Sequence, residues 1–197
     1  MKPKSMSNQK NKLSLKEMIL CGIFAALTAI MAQIRIYTPF STAPITLQTL
    51  AVFLSAAVLG SKKGAISLLI YILLGITGIP VFSNFKGGPS VIAGPTGGYI
   101  ISFPIIALVV GLILENRKRI SRINMFGAMV VGLLICYIIG TVHLALVSNL
   151  NLIKAITAGV ITFLPFDIIK LFIAAFLGYE IRHALERAGL LQANETA

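Results

Sequence analysis

Asp167 and Lys170 stand three residues apart in Leu164-Pro165-Phe166-Asp167-Ile168-Ile169-Lys170-Leu171-Phe172, inside the last apolar run of the chain. At that spacing an acid and a base share one face of a helix. Intramembrane acids and bases are candidates for function by default. A charge within an apolar span costs about 3 kcal/mol or more unless it is paired or borders a cavity. The pair is therefore either a ligand site or a self-contained ion pair, and the surrounding elements decide which.

Those elements are six apolar runs, at 18–34, 44–59, 65–79, 99–114, 125–147 and 156–179. The chain has 197 residues, 57% of them hydrophobic and 12% charged, and its mean hydropathy is +0.92. Such values predict an all-α membrane protein with six transmembrane helices. Continuous runs of this length do not fit the alternating strands of an outer-membrane barrel. The second and third are short against the ~20 residues that span a bilayer core.

The formal charge of +11 does not mark a nucleic-acid surface, because the basic residues lie in short clusters between the runs. Thirteen of the 17 Lys and Arg fall on one side: five before the first run, then Lys62 and Lys63, Arg117 to Arg122, Arg182 and Arg187. By the positive-inside rule both termini are cytoplasmic. The expected organisation is a polar cytoplasmic leader at 1–16, a six-helix membrane domain at 17–182 and a cytoplasmic tail at 183–197. The leader passes into the first run without a small-residue cleavage site, so that run is expected to be retained. Cys21 and Cys136 lie inside apolar runs and read as small buried hydrophobes.

Asn84, Lys86, Thr96, Tyr99, His143, Asp167 and Lys170 all fall in the other, outer half, which predicts a pocket open to the outside. The loop at 37–48 carries Pro39 and Pro44 and reads as an ordered rim, with Thr46 and Gln48 at its inner edge. The longest outward connection, 81–98, contains Gly87-Gly88-Pro89 and Gly94-Pro95-Thr96-Gly97-Gly98-Tyr99, a compact loop ending at a helix N-terminus that favours an anionic or carbonyl oxygen. His143 has no second His within helical reach, so packing is expected for it and a metal site is not. Gly22, Ala25, Ala26 and Ala29 form a small-residue stripe that suits close contact with another helix, of this chain or of a partner protein.

Pro44-Ile45-Thr46-Leu47-Gln48-Thr49-Leu50-Ala51-Val52, Gly78-Ile79-Pro80-Val81-Phe82, the Gly94 to Tyr99 loop and Leu164 to Lys170 together resemble the BioY family of biotin transport. The resemblance covers nearly the whole chain apart from its polar ends. It implies a non-catalytic substrate-binding S-component of an energy-coupling factor transporter, in a prokaryotic cytoplasmic membrane. That subunit captures biotin from outside with high affinity and partners a transmembrane coupling subunit and two ATPase subunits. ATP would be used by the ATPases, and no cofactor by this chain. On this footing Asp167 receives ureido N–H groups, Lys170 donates to the ureido oxygen and Tyr99 packs on the thiophane ring. Thr46, Gln48, Thr96 and Gly97 belong to the closing loops, and Asn84 is a further polar contact. The stripe Gly22, Ala25, Ala26, Ala29 matches the family's Ala-rich surface for the coupling subunit.

Two other classes stay open on the residues alone. A self-sufficient secondary transporter usually has two related halves, and no convincing internal repeat is present. An intramembrane enzyme needs a nucleophile and a positioned acid or base, for which one Asp-Lys pair is a weak set. The chain lacks a phosphate-binding loop of the Walker type.

Overall fold

The computed structural model describes residues 13–37, 44–117 and 119–191. Helix α1 (Leu15–Gln33) opens on a capping box, in which Ser14 Oγ accepts the Glu17 N–H and the Glu17 carboxylate accepts the Ser14 N–H. These bonds satisfy N–H groups that a helix start otherwise leaves unpaired. Beyond α1 the chain forms a two-residue antiparallel pair, β1 (Arg35–Ile36) with β2 (Ile45–Thr46). This short ladder is a local addition to a chain that is otherwise helical, in keeping with the all-α expectation. Ile45 and Thr46 thus bring the chain into α2 through extended backbone. Residues 38–43, where Pro39 and most of the expected rim fall, lie outside the described residues.

Helix α2 (Gln48–Ile76) takes in both the second and the third apolar run, with Gly60 at φ 79° and ψ −170° inside it. In a straight helix Gln48 and Tyr71 would be ~34 Å apart. Here Gln48 Nε2 donates to Tyr71 OH at 2.7 Å, so α2 folds back on itself at Gly60 into two antiparallel arms, 48–59 and 61–76. Glycine is required at the turn, since an L side chain disfavours that φ and a Cβ would stand 2.5 Å from Glu115 Oε1. The Glu115 carboxylate accepts the Ser61 N–H at 2.7 Å and so caps the second arm.

The connection after α2 carries a 3-10 turn at Ser83–Phe85 and helix α3 (Pro89–Ala93), then passes into α4 (Gly97–Glu115) and α5 (Arg122–Val147). The last apolar run is divided. Helix α6 (Leu152–Ile156) leads into a π-helical turn at Thr157–Ile161, and after a short break α7 (Leu164–Arg187) leaves at 42°. An interior proline would kink such a helix. Instead Pro165 lies in the first turn of α7, where its missing N–H removes no helical bond. By length and composition four helices among the described residues can cross a membrane, or five with the bent pair counted as one. The hairpin in α2 is the physical reason that this count falls short of six.

The helices are apolar nearly all round, as in a chain whose outer faces meet lipid rather than water. Phe53, Leu68, Tyr71, Ile106, Met129 and Leu171 fill the interior, while Ile138, Leu146 and Phe172 point outward. Both described chain ends lie at the Gly60 end of the molecule. Glu17 pairs with Lys63 at 2.6 Å, and Arg182 of α7 donates to Ala57 O at 3.0 Å, near the C-terminus of the first arm, where positive charge is favoured. Cys21 and Cys136 are free and buried.

Candidate functional site

Opposite the Gly60 end, the helices and the connection between α2 and α4 line a cavity of about 650 Å³. Asp167 and Lys170, 3% and 5% exposed, form its polar wall. Asp167 is in the first turn of α7, where the helix dipole favours an anion, and Lys170 follows one turn later. Lys170 Nζ donates to Asp167 Oδ1 at 2.8 Å and to Thr49 Oγ1 at 3.2 Å. Thr49 Oγ1 donates in turn to Asp167 Oδ1 at 3.2 Å, and Tyr137 OH donates to Asp167 Oδ2 at 2.8 Å. The charges therefore stay paired and hydrogen-bonded where they line the cavity.

Of the residues expected at the site, Thr46, Gln48, Asn84, Thr96, Tyr99, Asp167 and Lys170 all line this cavity. Gly97 stands behind the wall, where a Cβ would lie 1.7 Å from Ile92 O. It lets α3 close on α4. Tyr99 faces the cavity, but its hydroxyl donates to Gly159 O at 3.0 Å and lies 3.3 Å from Thr141 Oγ1. The ring fits against Gly140, where a Cβ would come within 2.2 Å of it. Tyr99 thus ties α4 to α5 and to the π-helical turn that precedes Asp167. His143 is engaged in packing, since its Nε2 meets Gly94 O at 3.0 Å and holds the glycine loop.

Sequence reading missed Tyr137 and Thr49, the two hydroxyls that bind the carboxylate, and the aromatic wall of Phe82, Phe103 and Phe163. A phenol midway along the apolar run 125–147 was an available signal for Tyr137. Thr49 follows Gln48 directly, but nothing local tells a lining threonine from a helix-capping one. The aromatics carry no sequence mark, because phenylalanine is ordinary in membrane helices. No cluster of metal-ligating side chains is present among the described residues.

The small-residue stripe divides between two environments. Ala25 is buried at 3%, against the molecule's own core. Gly22 and Ala26 are exposed and Ala29 is half-buried. An added Cβ at Gly22 would meet nothing within 4 Å.

Comparison with known proteins gives one family match, to the BioY family over residues 6–187. The chain is 42% identical over 168 residues to the biotin transporter BioY of Thermotoga maritima, covering 85% of this chain and 96% of that one. It is also 42% identical over 158 residues to the probable biotin transporter BioY of Pyrococcus horikoshii, covering 80% and 91% respectively. Among solved structures it is similar to the S-component for biotin from an ECF-type ABC transporter, with a TM-score of 0.81 at 23% identity, over 87% of this chain and 95% of that one. At that identity the likeness establishes the fold. Transporter relatives and several apolar helices together make this a multi-pass membrane protein.

Proposed function

Because the chain belongs to the BioY family, we propose that it is a membrane subunit that captures biotin from outside the cell and delivers it inward with an ATP-driven energy-coupling module. One observation carries the reading: the Asp167–Lys170 pair retains one acceptor and one donor position beside the cavity. A carboxylate has about four acceptor sites, and three donors converge on Asp167, from Lys170, Thr49 and Tyr137. An ammonium has three N–H groups, of which two are engaged, on Asp167 and Thr49.

A cyclic urea presents N–H and C=O side by side, the complement of that remaining pair. Biotin's ureido ring would give one N–H to Asp167 and accept from Lys170 through its oxygen. Such charge-assisted bonds are roughly twice as strong as neutral ones and fix the ring's orientation. The thiophane and valeryl carbons then meet Phe82, Phe103 and Phe163 and the Tyr99 ring. Thr46, Gln48, Asn84 and Thr96 supply polar contacts on the closing side, with Gly97 shaping the turn. A volume of about 650 Å³ lies within the range of small-molecule sites.

In a bilayer, α1, the two arms of α2, α4, α5 and the bent α6–α7 pair make six passages. The basic Gly60 end faces the cytoplasm with both termini, and the cavity faces outward. The coupling subunit docks on the exposed small face of α1, at Gly22, Ala26 and Ala29. Two partner ATPases hydrolyse ATP, while this chain performs no chemistry.

Detergent-purified protein, denatured and analysed by mass spectrometry, should release biotin, and the emptied protein should bind it saturably. Absence of both overturns the reading. Vesicles holding this chain alone should bind without ATP-dependent uptake, which should appear on adding the coupling and ATPase subunits. Uptake by the chain alone, driven by an ion gradient, would make it a secondary transporter.

A further inference from the structure

Between α2 and α3 the chain adopts a conformation that side chains disfavour. Asn84 has φ 67° and the next residue, Phe85, has φ 53°. Asparagine tolerates the left-handed region, whereas a bulky aromatic there is an outlier that needs external support. The turn matters because Ser83, Asn84 and Lys86 all line the cavity. It is exposed on its outer side, Phe85 being 67% accessible, so burial does not hold it.

The support comes from Gln33, the last residue of α1. Its Oε1 accepts the Phe85 N–H at 3.0 Å, and its Nε2 donates to Phe82 O at 3.0 Å and Val81 O at 3.4 Å. The same nitrogen is 3.2 Å from Ala29 O, one turn back in α1. One amide thus grips both sides of the turn and the helix that carries it. On the far side Tyr71 OH donates to Val81 O at 3.3 Å and receives Gln48 Nε2, which links the clamp to a second cavity residue.

We propose that Gln33 is a positioning residue of the ligand site: its side-chain amide clamps the left-handed Asn84–Phe85 turn to the end of α1, so that the setting of α1 governs how Asn84 faces the ligand. The proposal rests on the biotin-binding reading for its ligand but on geometry alone for the clamp. α1 also carries the exposed Gly22 and Ala26, so a partner that tilts α1 would loosen the same wall of the cavity. Substrate release would then follow from docking without any contact between partner and ligand.

Two measurements on the detergent-solubilised full chain test this. In Gln33→Met, which keeps length and removes the bonds, ligand-free hydrogen exchange at the Phe85 amide should speed up by about tenfold, while protection across α4 is unchanged. Unaltered exchange at Phe85 overturns the clamp. For biotin, Gln33→Met should weaken binding by about tenfold. Its effect should not add to that of Asn84→Ala, because the two residues act as one unit. Additive losses would mean that Gln33 acts elsewhere and overturn the assignment. If wild-type protein binds no biotin while the exchange result holds, the clamp stands and the biotin reading falls.

Discussion

Asp167→Asn preserves the volume of the side chain and removes its charge. Three donors converge on the carboxylate, with Lys170 and Tyr137 both at 2.8 Å and Thr49 at 3.2 Å. The amide has one accepting oxygen, so its NH2 must face at least one of them. Lys170, 5% exposed, loses its counter-ion. Breaking a buried pair from one side costs about 3–5 kcal/mol; the adjoining cavity admits solvent to the ammonium and places this case toward the lower end. The ligand separately loses one hydrogen bond to a charged acceptor, worth about 1.5–3 kcal/mol. That corresponds to a roughly 10- to 150-fold rise in the biotin Kd. Isothermal titration in detergent measures it, with the thermal midpoint as a check on folding. Asp167→Asn combined with Lys170→Met removes both charges, so it should recover stability without recovering affinity. A Kd within about threefold of wild type in a folded Asp167→Asn protein would refute the assignment.

Tyr137→Phe removes the 2.8 Å bond to Asp167 Oδ2 and should weaken biotin binding by about three- to tenfold, read by the same titration. Gly140→Ala drives a methyl into the Tyr99 ring, 2.2 Å away; a loss of about 1–3 kcal/mol should appear as a lower thermal midpoint and weaker binding. Gly60→Ala, at φ 79° and against Glu115, should cost about 1–2 kcal/mol in stability and leave the folded fraction's affinity unaltered. Ala26→Leu on the exposed face of α1 should leave biotin titration unchanged and abolish ATP-dependent uptake in reconstituted vesicles; retained uptake would remove α1 as the docking face.

Much of the architecture was legible because a bilayer restricts the solutions. Apolar runs of sufficient length must be helices, and the basic residues that flank them gather at the Gly60 end. The intramembrane Asp and Lys were conspicuous for the same reason, since their cost in lipid makes them informative. Helix ends were less legible. Whether Pro165 kinks a helix or begins one depends on the π-helical turn before it, and that turn depends on the Tyr99 hydroxyl bonded to Gly159 O, a contact 60 residues distant in sequence.

The sequence by itself determined a helical membrane protein, its basic end, its family, and an acid and a base one turn apart in the last apolar run. Local composition and spacing suffice for these because each follows from hydropathy, charge or a contiguous motif. Only the tertiary structure decided that α2 doubles back at Gly60, that Tyr137 and Thr49 complete the shell of Asp167, that Ala25 turns inward while Gly22 and Ala26 stay exposed, and that Gln33 grips the turn bearing Asn84. Each of these joins residues far apart in the chain, and no periodicity or motif encodes a partner whose identity is set by how helices pack.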